Sequence, residues 1–123
     1  MHIRRLLSVL CMLLFVGISG CSNGPGTQVK AYIAALDNGD SDAAAKMFSS
    51  RVRKSTGAKL TMVIAQFSDE FKKAGGVKSV VVLSETVRGD TAQVRAVLTM
   101  GSGKVDTLST TLLREDGAWK MNK

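Results

Sequence analysis

The hydrophobic period of this chain changes once, at Gly75-Gly76, and that change limits what the chain can fold into. Before it, apolar residues recur at helical spacing; after it, they alternate at a period of about two. Leu60, Val63, Ile64, Phe67, Phe71 and Ala74 stand at i, i+3, i+4, i+7, i+11 and i+14, which is one face of a helix over four turns. Ala92, Val94, Ala96, Leu98 and Met100 alternate with Thr91, Gln93, Arg95, Val97 and Thr99, the pattern of a half-buried antiparallel strand. Helices first and strands second make an α+β pattern, in which the helices cover one face of the sheet.

The remaining elements follow from caps and turns. Val29, Tyr32, Ile33 and Leu36 form an apolar stripe, predicting a first helix from about Thr27, its cap, to Asn38, stopped by Gly39. Asp40 or Ser41 is placed to cap a second helix from Asp42 to about Ser49, with Ala43, Ala44, Met47 and Phe48 inward. Arg51 to Gly57 reads as a loop, and the long amphipathic helix is the third. Phe67 lies mid-face on it, a core position whose truncation is expected to cost about 3–5 kcal/mol. Val77 to Val87 is β-branched and strand-like. Arg88-Gly89-Asp90, Gly101-Ser102-Gly103 and Asp116-Gly117 mark three turns, giving a four-stranded antiparallel meander that ends in Ala118–Asn122.

The N-terminus has a different character. His2, Arg4 and Arg5 form a basic region, Leu6 to Ile18 an apolar one, and Ser19-Gly20 precede Cys21. This is secretory-signal architecture, and its apolar run of thirteen residues falls short of the roughly 20 that span a bilayer. Ile18-Ser19-Gly20-Cys21 resembles the lipobox of bacterial lipoproteins: an aliphatic residue, two small residues and the cysteine that is lipidated. The resemblance implies removal of residues 1–20, lipid on Cys21 and membrane anchoring. Ser22, where inner-membrane lipoproteins of enteric-type bacteria carry Asp, implies the periplasmic face of the outer membrane in a Gram-negative host. Residues 21–26 read as the lipidated cysteine and a short tether, and residues 27–123 as the domain.

Export narrows the chemistry. Cys11 and the single histidine, His2, leave with the signal, and Cys21 is consumed by lipid. The exported domain then has no disulfide, no free thiol, no imidazole base and no histidine for a transition metal. Without Arg4 and Arg5, fifteen Lys and Arg oppose ten Asp and Glu, a side-chain sum of +5. The charges are dispersed, with short runs at Arg51-Val52-Arg53-Lys54 and Lys72-Lys73, so they read as a solvated surface or as attraction to anionic headgroups. An exported chain does not meet nucleic acid.

A longer resemblance rests on four segments: Tyr32-Ile-Ala-Ala-Leu-Asp-Asn-Gly-Asp40 with Ala43-Ala44-Ala45, Lys73-Ala-Gly-Gly-Val-Lys-Ser-Val80, Gly89-Asp-Thr-Ala-Gln-Val94, and Leu113-Arg-Glu-Asp-Gly-Ala-Trp-Lys120. In this order and spacing they resemble a family of small bacterial lipoprotein domains of unknown function in the nuclear-transport-factor-2-like (cystatin-like) superfamily. The resemblance implies a curved antiparallel sheet wrapped around helices, a cone with a pocket at its wide end. It supplies no catalytic residue and no cofactor.

The candidate sites are few. Tyr32, Met47, Phe67, Phe71, Met100 and Trp119 would line a pocket, if these apolar positions are not plain core. Glu85 and Asp106 lie on strands as isolated carboxylates. Tyr32 sits on an apolar stripe, which suits a core tyrosine. Asp37, Asp40 and Asp42 lack the spacing, central glycine and terminal Glu of a calcium loop, and helix capping accounts for them. Arg88-Gly89-Asp90 spells an adhesion tripeptide, but Gly-Asp in a hairpin turn explains it fully. The expectation is a non-catalytic, lipid-anchored envelope domain that binds a protein partner or a small apolar ligand. The alternatives are an isomerase- or dehydratase-like enzyme and a structural envelope component.

Overall fold

The computed structural model describes residues 24–122; the signal segment, Cys21 and Lys123 lie outside them. Four helices precede four strands: α1 (Pro25–Asp37), α2 (Ser41–Lys46), α3 (Ser50–Thr56), α4 (Lys59–Lys73), then β1 (Val77–Arg88), β2 (Thr91–Met100), β3 (Val105–Glu115) and β4 (Ala118–Met121). The strands form one antiparallel meander in the order β1-β2-β3-β4. The α+β reading, the four strands and their three turns hold to within a residue or two.

The helices differ from expectation in three places. The first begins earlier, because Pro25 at its first position presets φ for the helix and Gly24 stands at the N-cap. Pro25 and Gly26 are therefore helix, not tether, and Thr27 is exposed on the first turn rather than capping it. The second stops at Lys46, because the chain turns at Met47 to pair with the C-terminal strand. Phe48 makes a parallel bridge to Met121; the Met121 N–H donates to Met47 O, and the Ser49 N–H to Met121 O, each at 2.7 Å. The expected loop after it is helix α3. Ser49 Oγ accepts from the Val52 N–H, and the Glu115 carboxylate accepts from the N–H and hydroxyl of Ser50. These bonds hold the Glu115 carboxyl below the usual carboxylate range, the Ser50 N–H contributing most.

One face of the sheet is buried. Along β2, Ala92, Val94, Ala96, Leu98 and Met100 point inward without a break. Their cross-strand partners Leu112, Thr110, Leu108 and Asp106 on β3 share that face. Helix α1 supplies Val29, Tyr32, Ile33 and Leu36 to the same core, and Trp119 and Met121 of β4 close it. The core of the described residues lies entirely between Val29 and Met121.

The Gly75-Gly76 junction is clasped by the β2–β3 turn. Gly101 N–H donates to Gly76 O at 2.7 Å and Ser102 N–H to Ala74 O at 2.9 Å. A Cβ on Gly101 would stand 2.2 Å from the Gly75 carbonyl oxygen, so this close approach requires glycine. At the opposite end, the Gly26 N–H donates to Glu85 Oε1, fixing the start of α1 to β1.

Candidate functional site

Helix α4 packs chiefly on α1 and α2 rather than on the sheet. Its buried residues are Leu60, Ile64 and Ser68, and Ser68 Oγ donates to Leu36 O at 2.7 Å. Val63, Phe67 and Phe71 of its apolar stripe face a gap above β3, whereas Ala74 packs against the core. Phe67 is consequently 45% exposed and Val63 42%, a correction to the expectation of a buried mid-face phenylalanine. The stripe is wide enough for two tasks: one half joins the core, and the other lines an opening.

That opening is an apolar groove with two lobes. One, of about 230 Å³, lies among Tyr32, Ile33, Leu36, Phe67, Phe71, Leu98 and Leu108, with Glu70, Asp106 and Thr107 at its edge. The other, of about 380 Å³, lies among Tyr32, Phe48, Val52, Leu60, Val63, Ile64, Phe67, Leu108 and Met121, with Thr56 and Thr110. Tyr32, Phe67 and Leu108 belong to both lobes and mark where they join. Helix α4 is one wall, strand β3 the other, and α1 the floor. The inward positions Asp106, Leu108 and Thr110 alone extend the groove about 13 Å along β3.

Of the six residues expected to line a pocket, Tyr32 and Phe67 stand at this junction and Phe71 in the smaller lobe. The other three are placed elsewhere. Met100 is buried beneath the β2–β3 turn. Trp119 is buried at the far end of the sheet under the Arg114 guanidinium, 4.4 Å from its ring centre. Met47 is half-buried at the end of α2, where its backbone serves β4. Sequence reasoning missed Ile33 as a groove residue, because it reads as a core position of the first helix's stripe, and Leu108, because the third strand's inward face carries no clear alternation in Val105–Glu115. It also missed Glu70, whose spacing puts it off the apolar stripe.

Tyr32 packs edge-on against Phe48, ring centres 5.3 Å apart and planes at 86°. Burial pushes its phenol up to about 12, because phenolate is poorly solvated there. Glu85 and Asp106 are not paired with each other. Glu85 faces Val94 while Asp106 faces Leu98, on opposite sides of β2 and four residues apart along it. Glu85 is occupied with the Gly26 N–H, and Asp106 lies 3.7 Å from Lys104. Asp37 Oδ1 accepts from the Val77 N–H at 3.0 Å and Asp40 Oδ1 from the Ala43 N–H at 3.1 Å, so both have structural tasks. No group of three or more acidic, His or Cys side chains among the described residues is arranged to hold a metal ion. Arg88-Gly89-Asp90 forms the β1–β2 turn, with Gly89 at φ 61°.

Helices packed on one face of an antiparallel meander, with a groove opening beside the longest described helix, give this chain a nuclear-transport-factor-2-like fold. Residues 19–122 match DUF4878, a domain of unknown function, and the chain belongs to that family. Its fold is similar to that of an NTF2-like transpeptidase from Campylobacter jejuni, with a TM-score of 0.70 and 21% identity over 81% of this chain and 98% of that one. It is also similar to RPA3114, a SEC-C motif containing protein from Rhodopseudomonas palustris, with a TM-score of 0.62 and 14% identity over 83% of this chain and 77% of that one. Both likenesses are of fold. No curated protein sequence matches the chain.

Proposed function

We propose that this protein is a lipid-anchored envelope lipoprotein that works by binding rather than by catalysis, and that the groove between α4 and β3 is its binding site. The observation that carries this reading is Phe67: a large aromatic ring, 45% exposed, at the junction of two apolar lobes. An aromatic side chain half in water beside an apolar hollow is a common feature of sites that receive apolar groups. The chemistry of the walls supports binding over turnover. General acid–base work needs a group poised near the working pH, and the tyrosine of this groove is shifted away from it, to about 12. The carboxylates that the sequence offers as bases are separated, and Glu85 already serves a backbone N–H.

The anchor follows from the lipobox. Three residues, Ser22 to Gly24, stand between Cys21 and the first residue of α1. At no more than about 3.6 Å per residue, they would hold the domain close against the bilayer, on the periplasmic face of the outer membrane in a Gram-negative host. A protein partner that inserts an apolar side chain and a small apolar ligand are both compatible with the groove. The test is uptake of a neutral, environment-sensitive dye. Phe67→Gln should abolish saturable uptake while thermal unfolding stays near that of the unaltered protein. Undiminished uptake in that variant would place binding elsewhere.

A further inference from the structure

The groove has an electrostatic polarity that its apolar lining conceals. Among the described residues, the side chains that line the two lobes include two carboxylic acids, Glu70 and Asp106, and no Lys or Arg. Both stand at the smaller lobe, one on each wall; the larger lobe has no ionised group. This is notable in a domain whose exported side chains sum to +5. Glu70 also lies in the last turn of α4, where the unpaired carbonyl groups of a helix C-terminus add negative potential. Lys104 stands 3.7 Å from Asp106, a loose and exposed pair that an incoming cation can replace.

Resting on the binding reading above, we infer that the groove takes a single-chain amphiphile with a cationic head, such as an alkyl amine. The apolar body lies along β3 past Leu108 and Phe67, and the head stands between Asp106 and Glu70. The shape favours a chain over a compact ring, because the two lobes follow one another between a helix and a strand and share the lining residues Tyr32, Phe67 and Leu108. An anionic amphiphile of the same length would place its carboxylate against two carboxylates and is disfavoured.

The test compares three photoactivatable ten-carbon probes, an amine, an alcohol and a carboxylate, applied to the full chain in its own membranes. Labelled residues are located by peptide mass spectrometry. The amine should label α4 and β3 peptides about fivefold more than the carboxylate, as two partly exposed ion pairs would produce, with the alcohol between them. In the Glu70→Gln/Asp106→Asn variant the amine-to-alcohol ratio should fall to that of the bulk membrane, while alcohol labelling of the groove persists. Equal labelling of the groove by amine and carboxylate, or an unchanged ratio in the double variant, would overturn the charge selection and leave the binding groove standing. No groove labelling by any probe would overturn both.

Discussion

The exposed ring of Phe67 can add little to the core, whereas Ile64, one turn earlier on the same helix, is 1% exposed and touches it fully. Truncating Ile64 to Ala should cost about 2–5 kcal/mol. Phe67→Ala should cost less than about 1.5 kcal/mol, since much of the ring already meets water. Urea unfolding of the two variants checks this, and a Phe67→Ala midpoint as low as that of Ile64→Ala would mean a closed groove. Tyr32 makes a pH prediction. Its folded value of about 12 exceeds the ordinary 10, so between these values the folded state holds a proton that the unfolded state has lost. The stabilisation is complete below about pH 10 and disappears as pH rises towards 12, by an amount on the order of 2–3 kcal/mol. Tyr32→Phe should remove most of that alkaline slope, and an unchanged slope would place the titration elsewhere.

At the scale of elements, the strands were readable because each obeys a local rule: alternation along β2, and turn residues at Gly89-Asp90 and Asp116-Gly117. Helix α3 was not readable, because what starts it is remote. Glu115 lies 65 residues from Ser50, and Asn122 accepts from Ser49 Oγ across 73 residues. Without those partners, Ser50-Arg-Val-Arg-Lys-Ser-Thr56 has too little apolar periodicity to read as helix. Ser49→Ala removes the cap and the Asn122 bond together and should cost about 1–2 kcal/mol. A loss confined to the signal of α3 in hydrogen exchange would show that the cap supports that helix alone. The groove was half legible for a related reason. The α4 stripe shows that Val63 and Phe67 face inward, but not that α4 rests on other helices and stands off β3. Gly101→Ala addresses the far clasp, where a Cβ would meet the Gly75 carbonyl, and should destabilise the fold by about 1–3 kcal/mol, measured as a lowered urea midpoint.

For the whole molecule, an anchor at Cys21 and a groove in the folded domain make separable predictions. Cys21→Ala should block lipidation, so that a longer precursor accumulates; normal processing and membrane retention in that variant would exclude the lipobox reading. The core between Val29 and Met121 should form without metal or disulfide, so residues 22–123 are expected to fold with the same helix and strand content. The central claim concerns what that fold leaves open, an apolar groove between a helix and the strand it does not touch closely. The most direct measurement is an amide chemical-shift titration of the folded domain with a ten-carbon alcohol. Saturable shifts should cluster at Tyr32, Val63, Phe67 and Leu108, with the outer sheet face around Arg95 and Thr111 unmoved. Shifts centred on that outer face, or none that saturate, would contradict it.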